Sequence, residues 1–179
     1  MEAALLLAAL TARAGDHVDF VAGDTRVRSL VRAGARHGLL PGLMSAMSEL
    51  QPSLVEADWS MLAGTVSDLS RQRALVVLLS ALEPSVVRHG LLPVLPELVR
   101  RHQVVLASVR DPSMVALARG GPHVREAYAA AAAERSLTDR EHAADVLRVL
   151  GVGVVDAAPE ELPVALTDHY LMLKARGLL

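Results

Sequence analysis

The chain has 179 residues, of which 52% are hydrophobic and 21% charged, and its formal net charge is −2. That length suits one domain, and the apolar share excludes a disordered chain. With no cysteine, disulfides, thiolate metal sites, iron–sulfur clusters and cysteine nucleophiles are all excluded.

The missing cysteines fit a reducing, cytoplasmic setting. The four aromatic residues (Phe20, Trp59, Tyr128 and Tyr170) and the slightly acidic balance give neither the stacking platform nor the basic field of a nucleic-acid binder. No run reaches the ~18 apolar residues of a membrane span. The apolar start Ala3–Leu10 lacks the basic lead of a signal peptide, and Arg13 and Asp16 follow too soon.

Glu2–Ala14 is rich in alanine and leucine and reads as a helix ended by Gly15. It is apolar nearly all round, which predicts burial on most faces. His17–Ala22 and Arg26–Val31 alternate in hydropathy around Gly23-Asp24-Thr25, the pattern of a β-hairpin. Helical spacing returns over Gly38–Leu50, and a further helix is predicted over Ala57–Leu69. Ala74–Leu79 is a continuous apolar run, which suits a central parallel strand covered on both faces.

Pro84 opens a helix to about Arg101, with a kink or restart expected at Pro93 and Pro96. Gln103–Val109 is a second buried strand, and Asp111-Pro112-Ser113 is a helix-capping signature. A break is expected at Gly120–Pro122. A long helix then runs over Val124–Leu150, kinked or broken near Ser136. Gly151–Val155 reads as a third short parallel strand, and Pro159–Arg176 carries a full set of helix start and stop signals. Strands alternating with helices predict an α/β fold: three layers, with an open, mostly parallel sheet and one β-hairpin.

Local chemistry is sparse. There is no glycine-rich phosphate loop, no H-E-x-x-H helix and no G-x-S-x-G elbow. The seven histidines never pair at helical spacing, so a local metal site is not expected. Ligands of open α/β sheets bind beyond the carboxyl ends of strands, which directs attention to Ser80 and Glu83. Asp58 begins a helix that ends on the same rim, with Thr65 further in. Oxygen groups of this kind suit weak magnesium binding. The plain alternative is capping, with Ser80 or Glu83 serving the next helix and Asp58 its own. Trp59 beside Asp58 is read both as an anchor for a partner and as a residue packed under its loop.

Several stretches resemble one family. Ala14–Asp24 is similar to its helix-to-strand turn. Asp58-Trp59 followed by Arg73–Ser80, then Arg101–Pro112, and finally Asp168–Ala175 match further segments in order and spacing. These resemble the carboxyl-terminal part of the bacterial domain-of-unknown-function family fifty-eight. Members carry a von Willebrand factor A-like domain and are often encoded beside MoxR-type AAA+ ATPases. The resemblance implies a single von Willebrand A-like domain over residues 1–179, truncated at its amino-terminal end. Full-length relatives often carry amino-terminal membrane helices.

Two departures follow from the same resemblance. The strand that ends in D-x-S-x-S and supplies the first metal ligands is missing, and Ser80-Ala81 stands where Thr-Asp is usual. Only the loop around Asp58 keeps an acidic candidate, so the metal site is degenerate and no cofactor is expected. The missing strand would lie between the hairpin and Ala74–Leu79, and without it two strand edges stay unpaired. The hairpin closing onto Ala74–Leu79, a second chain filling the gap, or a longer protein supplying the strand are the three solutions; the last is favoured.

The expected function is a non-catalytic protein-interaction module working with a MoxR-type ATPase in protein assembly or maturation. Its binding rim would be Asp58, Trp59, Ser80 and Glu83. Two other readings are a magnesium-dependent hydrolase or phosphoryl-transfer enzyme built on Asp58, Ser80 and Glu83, and a homodimeric scaffold joined through exposed sheet edges.

Overall fold

Residue parity along three strands organises the molecule. The computed structural model describes residues 1–32, 38–121 and 123–179. In it β3 (Leu75–Leu79), β4 (Gln103–Val109) and β5 (Gly153–Ala157) form a parallel sheet in that order. Leu75 stands opposite Gln103, and Val105 opposite Gly153. Because successive side chains point to opposite faces, Val76, Val104 and Leu106 fall on one face and Val77, Val105 and Ala107 on the other. Each set heads its own apolar cluster.

The first cluster is closed by α3 (Trp59–Leu69), a π-helical turn at Val86–Leu91, α4 (Leu95–Arg101) and the last third of α6 (Val124–Val149). The second is closed by α1 (Glu2–Arg13) and α7 (Leu162–Ala175), which supply Ala3, Leu162, Leu166 and Leu173. The fold is therefore mixed α/β, with helices on both faces of a parallel sheet. Strands β1 (Phe20–Gly23) and β2 (Val27–Val31) make a separate antiparallel hairpin. The hairpin packs with α1 and α2 (Leu39–Ser48) around Ala8, Leu39 and Leu43. No helix among the described residues is long and apolar enough to cross a membrane.

Three helices end on glycine by one motif. Gly15, Gly151 and Gly177 take φ of 84°, 84° and 65°. In each case the glycine N–H and the next N–H turn back to carbonyls of the last helical turn, as Gly151 to Arg148 and Val152 to Leu147, both at 3.0 Å. The hairpin turn needs glycine for another reason. A Cβ on Gly23 would sit 2.7 Å from the Arg26 carbonyl oxygen and 2.9 Å from Leu62.

Several expectations are corrected. α6 runs unbroken through Ser136, because one exposed serine among strong helix formers costs only a few tenths of a kcal/mol. β5 starts two residues later than expected, since Gly151 is spent on ending α6. The stretch after Pro84 does restart: the π-helical turn precedes α4, as expected of Pro93 and Pro96, which lack an N–H. α1 buries only Ala3, Ala8 and Thr11, and Leu6 stays 42% exposed, because α7 and the hairpin cover two faces of it and not a third.

The β3 run, read as a central strand, lies at the edge of the three-stranded sheet, and β4 is central. The hairpin does not pair with it among the described residues. Of the break expected over 120–122, Pro122 lies outside the described residues, while Gly120 ends α5 (Pro112–Ala118) with φ 71°.

Candidate functional site

A cleft of about 590 Å³ opens beyond the carboxyl ends of β3 and β4, where the turns after both strands meet the middle of α6. Its charged lining comprises Glu83, Arg110, Asp111, Arg135, Asp139 and Arg140. The floor is a hydrogen-bonded hub. Ser108 is 1% exposed, and its hydroxyl oxygen accepts from the Leu82 N–H at 3.1 Å and from Arg140 Nη2 at 2.7 Å. Arg140 also donates to the Val109 carbonyl at 2.8 Å and makes a two-pronged pair with Asp156 on β5. One guanidinium thus ties α6 to the ends of both β4 and β5. Such planar, bidentate geometry suits arginine over lysine.

The remaining charges line the walls of the cleft. Asp111 caps α5 by accepting from the Ser113 N–H at 2.8 Å, and that hydrogen bond holds its carboxyl below the usual range. Arg110 and Arg135 are exposed at the mouth. A cleft walled by both signs of charge can read a polar surface or a charged segment by complementarity.

The residues singled out in the sequence are spread over this end of the fold. Glu83 lines the cleft. Ser80 extends the sheet ladder, its N–H donating to the Ala107 carbonyl at 3.2 Å. Asp58 caps α3, its carboxylate accepting from the Met61 N–H at 2.9 Å, and its own N–H donates to the Asp24 carbonyl in the hairpin turn. Trp59 is half-buried against the first apolar cluster, with Gly90 of the π-helical turn directly beneath its ring. The Thr65 hydroxyl turns back to the Met61 carbonyl of its own helix.

No hydrogen bond or ion pair among the described residues joins Asp58 to Ser80 or Glu83. Nor does any group of three or more His, Asp or Glu among them gather as a metal-binding set. The hub residues Ser108, Arg140 and Asp156 were not singled out by sequence. One signal was available, a lone serine inside the apolar run Val104–Val109.

A second polar cluster ties the far ends of α1 and α7. Lys174 Nζ donates to both Asp16 carboxylate oxygens, at 2.8 and 2.7 Å, and the Tyr170 hydroxyl donates to the same carboxylate. Burial pulls the Asp16 carboxyl upward, but the hydrogen bonds from Lys174 and Tyr170 outweigh it and hold it below the usual value.

No family model, curated protein or solved structure matches this chain.

Proposed function

We infer that this is a von Willebrand A-like protein-interaction module, non-catalytic, that works with a MoxR-type AAA+ ATPase in protein assembly or maturation. The observation that carries the reading is surface. The chain exposes 11102 Å², about a third more than a compact monomer of its mass is expected to show. Part of that surface is apolar. α5 has no buried residue, and with the first half of α6 it carries Val115, Leu117, Val124 and Tyr128 into solvent, the tyrosine 76% exposed. Apolar and aromatic side chains left in solvent on two packed helices are material for a partner surface.

The von Willebrand A-like and family assignments draw support from element order. A hairpin followed by parallel strands, with helices on both faces of the parallel sheet, agrees with the resemblance. The test is affinity capture from a lysate of the source organism with the chain as bait, run with magnesium–ATP and with EDTA and read by mass spectrometry. Specific recovery of a MoxR-type ATPase is the expected result. Failure to recover one in either condition overturns the proposal.

A further inference from the structure

The cleft beyond β3 and β4 holds charges that the fold itself does not use. Of its six charged side chains two are committed, Arg140 to Asp156 and Asp111 to the cap of α5. The other four are Glu83 on the turn after β3, Arg110 on the turn after β4, and Arg135 and Asp139 on α6. None of these four makes an ion pair or a side-chain hydrogen bond among the described residues. Arg135 and Asp139 lie four residues apart, a spacing at which helix neighbours can pair. Glu97 and Arg101 do pair at that spacing, at 2.7 Å. Arg135 and Asp139 both line the cleft instead.

Arg140 adds donors at the floor. Its bonds to Ser108, Val109 and Asp156 all run through Nε and Nη2. Nη1 donates to no acceptor among the described residues. It is not sealed from solvent either, since the unpartnered side-chain nitrogens so buried among them belong to His102 and His169. Arg140 lines the cleft, so the two N–H groups of Nη1 open into it. A guanidinium clamped along one edge and open along another is already oriented for a carboxylate.

Charge balance selects the ligand. A simple anion would meet Glu83 and Asp139, and a simple cation would meet Arg110 and Arg135. A molecule bearing both signs answers all four. Half-buried Pro84, Met114 and Leu137 supply apolar wall beside them. The volume of about 590 Å³ falls among small-molecule sites, which span about 300–1,000 Å³.

We propose that the cleft binds a small zwitterion of dipeptide size. Its carboxylate meets Arg110, Arg135 and the open edge of Arg140, its ammonium meets Glu83 and Asp139, and its apolar side chains lie against Pro84, Met114 and Leu137. This does not rest on the interaction-module reading. The ATPase capture tests that reading and leaves the cleft ligand untouched.

The test is an NMR titration of the full chain with leucyl-leucine, its N-acetyl form and its carboxy-terminal amide. Uncapped dipeptide is expected to shift the amides of Ala81, Arg110 and Ser136, which line the cleft. It should bind about tenfold more tightly than either capped form, because each cap removes one charge-assisted contact. Arg110→Gln combined with Arg135→Gln should abolish the preference over the amide and keep the preference over the N-acetyl form. Glu83→Gln combined with Asp139→Asn should do the reverse. General loosening of the cleft would not separate the two preferences.

Unshifted cleft amides at millimolar dipeptide overturn the proposal, and so do equal affinities for the three ligands. A double variant that weakens all three alike overturns it as well. The wild-type comparison decides the matter even where a variant fails to fold.

Discussion

Arg140 grips Asp156 through two hydrogen bonds, Nε to Oδ2 at 3.0 Å and Nη2 to Oδ1 at 2.7 Å, with both side chains about a fifth exposed. The pair links the middle of α6 to the end of β5, and through Ser108 it reaches the end of β4. It therefore fixes the floor of the cleft on which Glu83, Arg110 and Asp111 are mounted.

Removing the guanidinium leaves Asp156 and the Ser108 hydroxyl without their donor in a largely desolvated place. Arg140→Ala is expected to cost about 2–4 kcal/mol in urea unfolding. Arg140→Lys should recover only part of that loss, since an ammonium cannot reach Asp156 and Ser108 in the same planar geometry. A lysine variant as stable as wild type would show that charge alone, and not the fork, holds the floor.

Trp59 and Gly90 are matched to each other. A Cβ on Gly90 would lie 2.4 Å from Trp59 Cδ1 and 2.7 Å from Nε1, so Gly90→Ala must push the indole off its seat. The expected cost is about 1–3 kcal/mol. Trp59→Ala should cost about 2–3 kcal/mol, at or below the range for a fully buried tryptophan because the side chain is only partly buried. Trp59 is the sole tryptophan, so its fluorescence reports the site directly. A red shift in Gly90→Ala with the fold otherwise intact is the expected signature.

How far the sequence could be read depended on where the information lies. Gln103–Val109 was legible to the residue because its buried stretch Val104–Ser108, covered on both faces, is apolar but for one serine. α7 was legible from its Gly177 stop, though it begins at Leu162 and not at the expected Pro159, and Asp58 and Asp111 were legible from their capping positions. The edge status of β3 was not legible in its own residues, since an apolar run looks the same at the centre and at an open edge. The cleft hub was hidden for a different reason. Ser108, Arg140 and Asp156 are separated by 32 and 16 residues and meet only because α6 crosses the ends of β4 and β5. The clustering of Asp58, Trp59, Ser80 and Glu83 on one rim was a statement about that same end. Of the four, only Glu83 lines the cleft.

Acid should destabilise the fold in two separate windows. His102 is 3% exposed with neither ring nitrogen hydrogen-bonded, and burial, with Arg101 adding to it, pushes its pKa below the ordinary value. Burial does the same to His169, whose Nε2 also lacks a partner. The unfolded chain therefore binds protons at these histidines before the folded chain does. Stability should fall as pH drops below about 6.5, by up to about 1.4 kcal/mol per pH unit for each histidine. His102→Leu should flatten that slope. The carboxylates act lower. The Arg28 hydrogen bond holds Asp24 at about 2, so its contribution persists above the usual carboxylate value and is lost only as pH falls through the folded one. Urea midpoints measured from pH 7 downward separate the windows, and a flat profile between about pH 7 and 5 would contradict the histidine assignment.

The Asp16–Tyr170–Lys174 cluster makes the opposite prediction at high pH. Hydrogen bonds to Asp16 and Tyr170 raise the Lys174 ammonium above its ordinary value, so its contribution is complete below that value and is lost as pH rises through the folded one. Burial, then the hydrogen bond to Asp16, raises the Tyr170 phenol as well, so the unfolded chain ionises there first. Both effects make stability fall above about pH 10. Asp16→Asn removes the anion that both groups face. It should lower the melting temperature at neutral pH by a few degrees, shift the phenolate absorbance titration of Tyr170 to lower pH, and make the alkaline limb less steep. If the Tyr170 phenol titrates at the same pH in wild type and in Asp16→Asn, the cluster does not hold the ends of α1 and α7 in the way its hydrogen bonds require.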